Sequence, residues 1–96
     1  METIEEMLIR HEGLRLKPYR CSAGKLTIGV GRNLDDVGID RVEAILLLNN
    51  DIHKCEEDLD RNIRWWRNLT PERQNVLINM CFNLGIAGLL KFTRTL

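Results

Sequence analysis

Glu12-Gly13-Leu14-Arg15-Leu16-Lys17-Pro18-Tyr19-Arg20-Cys21-Ser22-Ala23-Gly24-Lys25-Leu26-Thr27-Ile28-Gly29-Val30-Gly31-Arg32 is the stretch from which the fold is read. Leu14, Leu16 and Pro18 alternate with Arg15 and Lys17, the period-two pattern of a half-buried strand. Ser22-Ala23-Gly24 reads as a hairpin turn, and 25–30 as the returning strand, closing on Gly29-Val30-Gly31. Eight residues separate Glu12 from Cys21, and five separate Cys21 from Thr27. A helix end followed by a tight hairpin would bring these three side chains to one small mouth. An acid, a second ionisable group and a hydroxyl are the parts needed to protonate a leaving oxygen and position a water.

Towards the N-terminus, Thr3-Ile4-Glu5-Glu6 fits a capping box, and Ile4, Met7 and Leu8 give the following helix one apolar face. Gly13 is its natural stop, which leaves Glu12 in the last turn. In the other direction, residues 33–39 carry Asn, two Asp and Gly, and read as a loop. Asp40-Arg41-Val42-Glu43 is a second capping box that opens a long helix ending near Arg61. Val42, Leu46, Ile52 and Leu59 are its candidate core residues. Trp65 and Trp66 follow in a connector and read as packing residues. Thr70-Pro71 is a strong helix start. The helix over 71–84 carries Val76, Leu77, Ile78, Met80, Cys81, Phe82 and Leu84 on most sides and is expected to be buried nearly all round. Gly85 caps it, and 86–91 form a further short turn or helix. The element order gives an α+β fold.

Ninety-six residues make one domain by the usual prior. Fourteen basic and fourteen acidic side chains cancel, so no basic surface argues for nucleic acid as a partner. The three cysteines at 21, 55 and 81 lack metal-ligand spacing and read as free thiols of a reducing compartment, with no metal or cofactor implied. No charged-then-apolar leader and no apolar run of transmembrane length are read, so neither a signal peptide nor a membrane partner is expected. A helix apolar on most sides with few neighbours predicts a homo-oligomer, most simply a dimer covering Phe82, Leu84 and the Leu90 side.

The acid–eight–cysteine–five–threonine spacing resembles the catalytic constellation of T4-type bacteriophage lysozymes. The run Glu12 to Lys17, Tyr19 and Thr27-Ile28-Gly29-Val30-Gly31 resemble them too. So does Ile78-Asn79-Met80-Cys81-Phe82-Asn83-Leu84-Gly85, followed by Gly88 and Phe92-Thr93. The resemblance implies a single lysozyme-like domain over 1–96. Residues 12–39 would form a β lobe, with 1–11 and 40–96 a helical part lacking the usual C-terminal helices. It implies an endolysin-like muramidase that hydrolyses the β-1,4 bond between N-acetylmuramic acid and N-acetylglucosamine in peptidoglycan. Glu12 would be the general acid, Cys21 the second group and Thr27 the residue that orients water. Cys21 could serve as base, as charge stabiliser or as nucleophile, and Arg20 and Lys25 would favour its thiolate. Phe82, Asn83 and Thr95 would line the sugar cleft, and Arg32 would pair with Asp51. Such a protein is made in the cytoplasm and acts on the cell wall after release. The alternative is a truncated, non-catalytic module that binds peptidoglycan or a protein partner. Arg32 and Asn33 depart from the family, where His and an apolar residue are common.

Overall fold

A computed structural model describes residues 1–94, with side chains through residue 92. In chain order the elements are α1 (Ile4–Glu12), β1 (Arg15–Arg20), β2 (Leu26–Gly29), β3 (Arg32–Asn33), α2 (Arg41–Asn62), a 3₁₀ turn (Trp66–Asn68) and α3 (Pro71–Arg94). The chain divides into two units, Met1–Arg41 and Val42–Leu96. The α+β expectation holds.

In the first unit, the Thr3 hydroxyl accepts from the Glu6 amide at 3.1 Å and donates to the Glu6 carboxylate at 3.1 Å. That satisfies one of the open amides of the helix start. The helix stops where expected: Gly13 takes φ 80°, and its N–H donates to the Ile9 carbonyl at 2.8 Å. The sheet is antiparallel in the order β1-β2-β3, with Tyr19 opposite Thr27 and Thr27 opposite Asn33. The hairpin turn is also as read. Cys21 N–H donates to Lys25 O at 3.0 Å, Gly24 N–H donates to Cys21 O at 2.8 Å, and Gly24 adopts φ 76°.

Two readings of this unit need correction. β1 is not half-buried: Leu16 is 82% exposed, Leu14 is exposed as well, and only Tyr19 is partly covered. β1 lies at the edge of the sheet, and the side chain the sheet buries is Thr27 on the central strand. The loop over 33–39 starts inside a third strand. Two residues are too few to show a period, so the pattern could not reveal it. Beyond it Asn33 makes a turn of its own, its side-chain oxygen accepting from Asp36 N–H at 2.9 Å.

The core of the second unit consists of Cys55, Leu59, Ile63, Trp66, Cys81 and Leu89. Cys55, Leu59 and Ile63 recur every four residues and so form one stripe on the C-terminal half of α2 and just beyond it. Leu59 belongs to the core as expected. Val42 and Leu46 do not, being 77% and 61% exposed. The front half of α2 is apolar, but the core packs against its back half. Trp66 is buried and Trp65 exposed, so the packing reading holds for one of the pair. Trp66 Nε1 donates to Asp60 at 2.7 Å, and Arg67 donates to both Asp60 oxygens at 2.7 and 3.1 Å. The Arg67 guanidinium also lies over the Trp66 ring, 4.6 Å from its centre. These donors, Arg67 first and Trp66 second, hold the Asp60 carboxyl below its usual range.

α3 begins as predicted, with Thr70 Oγ1 accepting from Arg73 N–H at 3.4 Å and Thr70 O from Gln74 N–H at 2.9 Å. It breaks at Gly85, where φ is 74° and ψ 160°, into segments 71–84 and 86–94. The expectation of all-round burial fails. Leu77, Ile78, Met80, Ile86 and Leu90 pack partly against the core, while Val76, Phe82, Leu84 and Phe92 are exposed. The transmembrane reading is corrected too. Residues Pro71–Phe92, at mean hydropathy 1.4, are long and apolar enough to cross a membrane by length and composition. Asn75, Asn79 and Asn83 break the run to the eye, yet Val76, Leu77, Ile78, Met80, Cys81 and Phe82 outweigh them in the average.

Candidate active site

Thr27 is the buried polar residue of the first unit, 3% exposed at the centre of the sheet. Its hydroxyl donates to the Lys25 carbonyl at 2.9 Å. Cys21, at the first position after β1, is half-buried inside the turn that its own backbone closes. Its thiol faces the amide N–H groups of Lys25 and Ala23 and the hydroxyl of Thr27. Amides that aim at a sulfur stabilise its anion, so the thiol is held below its usual range. The Lys25 amide is the largest cause, the Ala23 amide the next, and partial burial opposes both. A hydroxyl has one proton, so Thr27 must turn from the Lys25 carbonyl to serve the thiolate.

The expected source of that shift was different. Arg20 and Lys25 are committed elsewhere: Arg20 donates to Gly24 O at 3.1 Å and sits 3.8 Å from Asp35, and Lys25 reaches Asp36 at 3.2 Å. The acidic residues of the following loop neutralise both cations, and backbone dipoles take over their role.

Glu12 is the last residue of α1 and is exposed. Its carboxylate rests against Gly31 in the turn between β2 and β3; a Cβ added there would lie 3.2 Å from Glu12 Oε2. Gly31 stands four residues beyond Thr27, at most about 13 Å along an extended strand. The first unit therefore brings Cys21 and Thr27 together and sets Glu12 against the turn that follows Thr27's strand. The sequence reading treated Gly31 only as a strand end and missed this seat; the Gly-Val-Gly run was the signal for it.

The residues expected to line a sugar cleft belong to the second unit. Phe82 is 46% exposed, and Asn83 is exposed, its amide donating to Asn79 O at 2.9 Å and Asn79 Oδ1 at 2.5 Å. Thr95 lies outside the described residues. Arg32 belongs to the first unit and donates to Gly38 O at 3.1 Å, whereas Asp51 belongs to the second. Among the described residues no group of three His, Cys, Asp or Glu could hold a metal ion.

A helix that ends in an acid, a short antiparallel sheet holding a thiol and a hydroxyl, and helices beyond give the order of elements of a lysozyme-like fold. More narrowly, the phage lysozyme family model matches residues 9–95, and the chain belongs to that family. It is 34% identical over 86 residues to an endolysin of Acyrthosiphon pisum secondary endosymbiont phage 1, a match covering 85% of this chain and 57% of the relative. It is 33% identical over 95 residues to the SAR-endolysin of Escherichia phage Mu, covering 96% of this chain and 54% of the relative. A third relative is the pre-baseplate central spike protein Gp5 of Enterobacteria phage T4, 30% identical over 122 residues, a match covering 98% of this chain and 21% of the relative. The chain thus spans about half the length of the endolysins it matches.

Proposed function

We propose that this chain is an endolysin-type muramidase that hydrolyses the β-1,4 bond between N-acetylmuramic acid and N-acetylglucosamine in peptidoglycan. The observation that carries the reading is the half-buried Cys21 in the hairpin turn and the buried Thr27 hydroxyl on the strand that leads into the Gly31 turn, against which the Glu12 carboxylate rests. Glu12 gives its proton to the glycosidic oxygen as the bond to the anomeric carbon breaks. A water, held by Thr27 and giving its proton to the Cys21 thiolate, adds to that carbon from the opposite face. Each turnover moves one proton from Glu12 to the leaving sugar and one from water to sulfur, and solvent restores both groups. Phe82, Asn83 and Thr95 are the proposed sugar contacts of the helical part. The enzyme is made in the cytoplasm and meets its substrate after release.

Turbidity loss of permeabilised Gram-negative cells tests the reading, with the native chain set against Glu12→Gln. Loss with the native chain alone is expected; equal rates, or none from either, defeat it. Proton NMR of the first-formed reducing sugar separates the roles of Cys21: inversion fits a base, retention a nucleophile.

The second reading is a non-catalytic module that binds peptidoglycan or a protein. The exposed apolar side chains of α2 and α3 favour it, and it requires binding of wall fragments that Cys21→Ser leaves unchanged. Those same faces support self-association. Isolated surface patches on monomers rarely exceed a few hundred Å², and two copies would cover Phe82, Leu84 and the Leu90 side. Sedimentation should give a dimer at tens of micromolar in protein. A monomer that instead floats with lipid vesicles would assign the apolar surface to a membrane.

A further inference from the structure

We infer that Gly31 is a positioning residue for the acid: the missing Cβ at this one turn position lets the Glu12 carboxylate take its seat. The inference rests on the proposed role of Glu12. Gly29 and Gly31 flank Val30 with nearly the same φ, 71° and 72°. Both lie in the left-handed region, where any L side chain is strained. What a side chain would meet differs between them. A Cβ at position 29 meets nothing within 4 Å, whereas one at 31 meets Glu12 Oε2 at 3.2 Å and its Cδ and Cγ at 3.6 Å.

A carbon held 3.2 Å from an oxygen is tighter than ordinary contact, so one partner must yield. Position 31 is backbone, and the Glu12 carboxylate is the free end of a flexible side chain. Among the described residues no hydrogen bond or ion pair is recorded for that carboxylate, so the turn surface is what it rests on. The acid would move by a few tenths of an ångström at little cost to the fold. A proton donor displaced by that much loses alignment with the leaving oxygen, and rate is more sensitive to this than binding.

The test compares Gly31→Ala with Gly29→Ala in the full chain, since both place a side chain on a positive φ of about the same size. Both should melt several degrees below the native chain and by similar amounts. Gly31→Ala should lower kcat about tenfold to a hundredfold at unchanged KM on soluble peptidoglycan fragments, and Gly29→Ala should not. The ¹³Cδ resonance of Glu12 should move in Gly31→Ala and stay in place in Gly29→Ala. Should the Ala variants not fold, Gly31→Asn and Gly29→Asn repeat the comparison with a residue that tolerates positive φ. Equal kcat in the two variants of an active enzyme, or an equal Glu12 resonance in both, overturns the inference. A native chain without activity removes the muramidase reading instead, and the resonance comparison still decides whether Gly31 sets the carboxylate.

Discussion

The two units are held together by different physics. In Met1–Arg41 the buried side chain is a hydroxyl, Thr27, and shape comes from caps, turns, five glycines at positive φ and the Asn33 side chain. In Val42–Leu96 an apolar cluster around Leu59, Trp66 and Leu89 is fully enclosed, and Trp66 is additionally clasped by Asp60 and Arg67. Hydrogen-bonded turns fix directions to within narrow angles but contribute little net free energy each. Apolar burial contributes more and is non-directional. The unit with little core is therefore suited to aim reacting groups, and the unit with the core to carry stability.

Substitutions that separate aim from stability test that contrast. Glu12→Gln should lower the lytic rate by roughly 10²–10⁴-fold with no change in melting, because the carboxylate is exposed. Leu59→Ala should do the reverse, destabilising the second unit by about 2–5 kcal/mol in a denaturant titration. Equal losses of activity and stability in both variants would dissolve the distinction. Next in size is the pH dependence of the site. A thiol held below its usual range stays ionised to lower pH, so the rate should fall as pH drops through that lowered value. Thr27→Val removes one of the groups that favour the anion and should shift this acid limb upward. The smallest effect lies in the core. Burial, then the neighbouring Cys55 thiol, push the Cys81 thiol up from 9.0 to about 11. Its contribution is complete below the unfolded value and is lost as pH rises through the folded one. Melting of the second unit should therefore fall across that alkaline window, and less so in Cys81→Ala.

The sequence was most informative where a signal acts within a few residues. Thr3, Gly13, the Ser22-to-Gly24 turn, Thr70-Pro71 and Gly85 all do in the structure what their chemistry requires of them locally. The helix end at Glu12 and the hairpin around Cys21 were legible for the same reason, being local objects, whereas the expectation that Glu12, Cys21 and Thr27 form one site rested on the resemblance. Burial was not. Leu16, Val42 and Phe82 are apolar and periodic, yet which face is covered depends on packing between elements distant in sequence. The origin of the Cys21 shift was hidden likewise: the residues nearest in sequence carry charge, but their partners Asp35 and Asp36 come from the next loop.

The placement of the tryptophans has a practical result. Trp65 and Trp66 both lie in the second unit, one wet and one enclosed under a guanidinium. Intrinsic fluorescence will thus follow the melting of the cored unit and stay silent about the hairpin, whose aromatic is Tyr19. A chain whose emission looks native could already have lost the geometry that the proposed reaction needs, so a quality check on this protein has to include a signal from the hairpin itself.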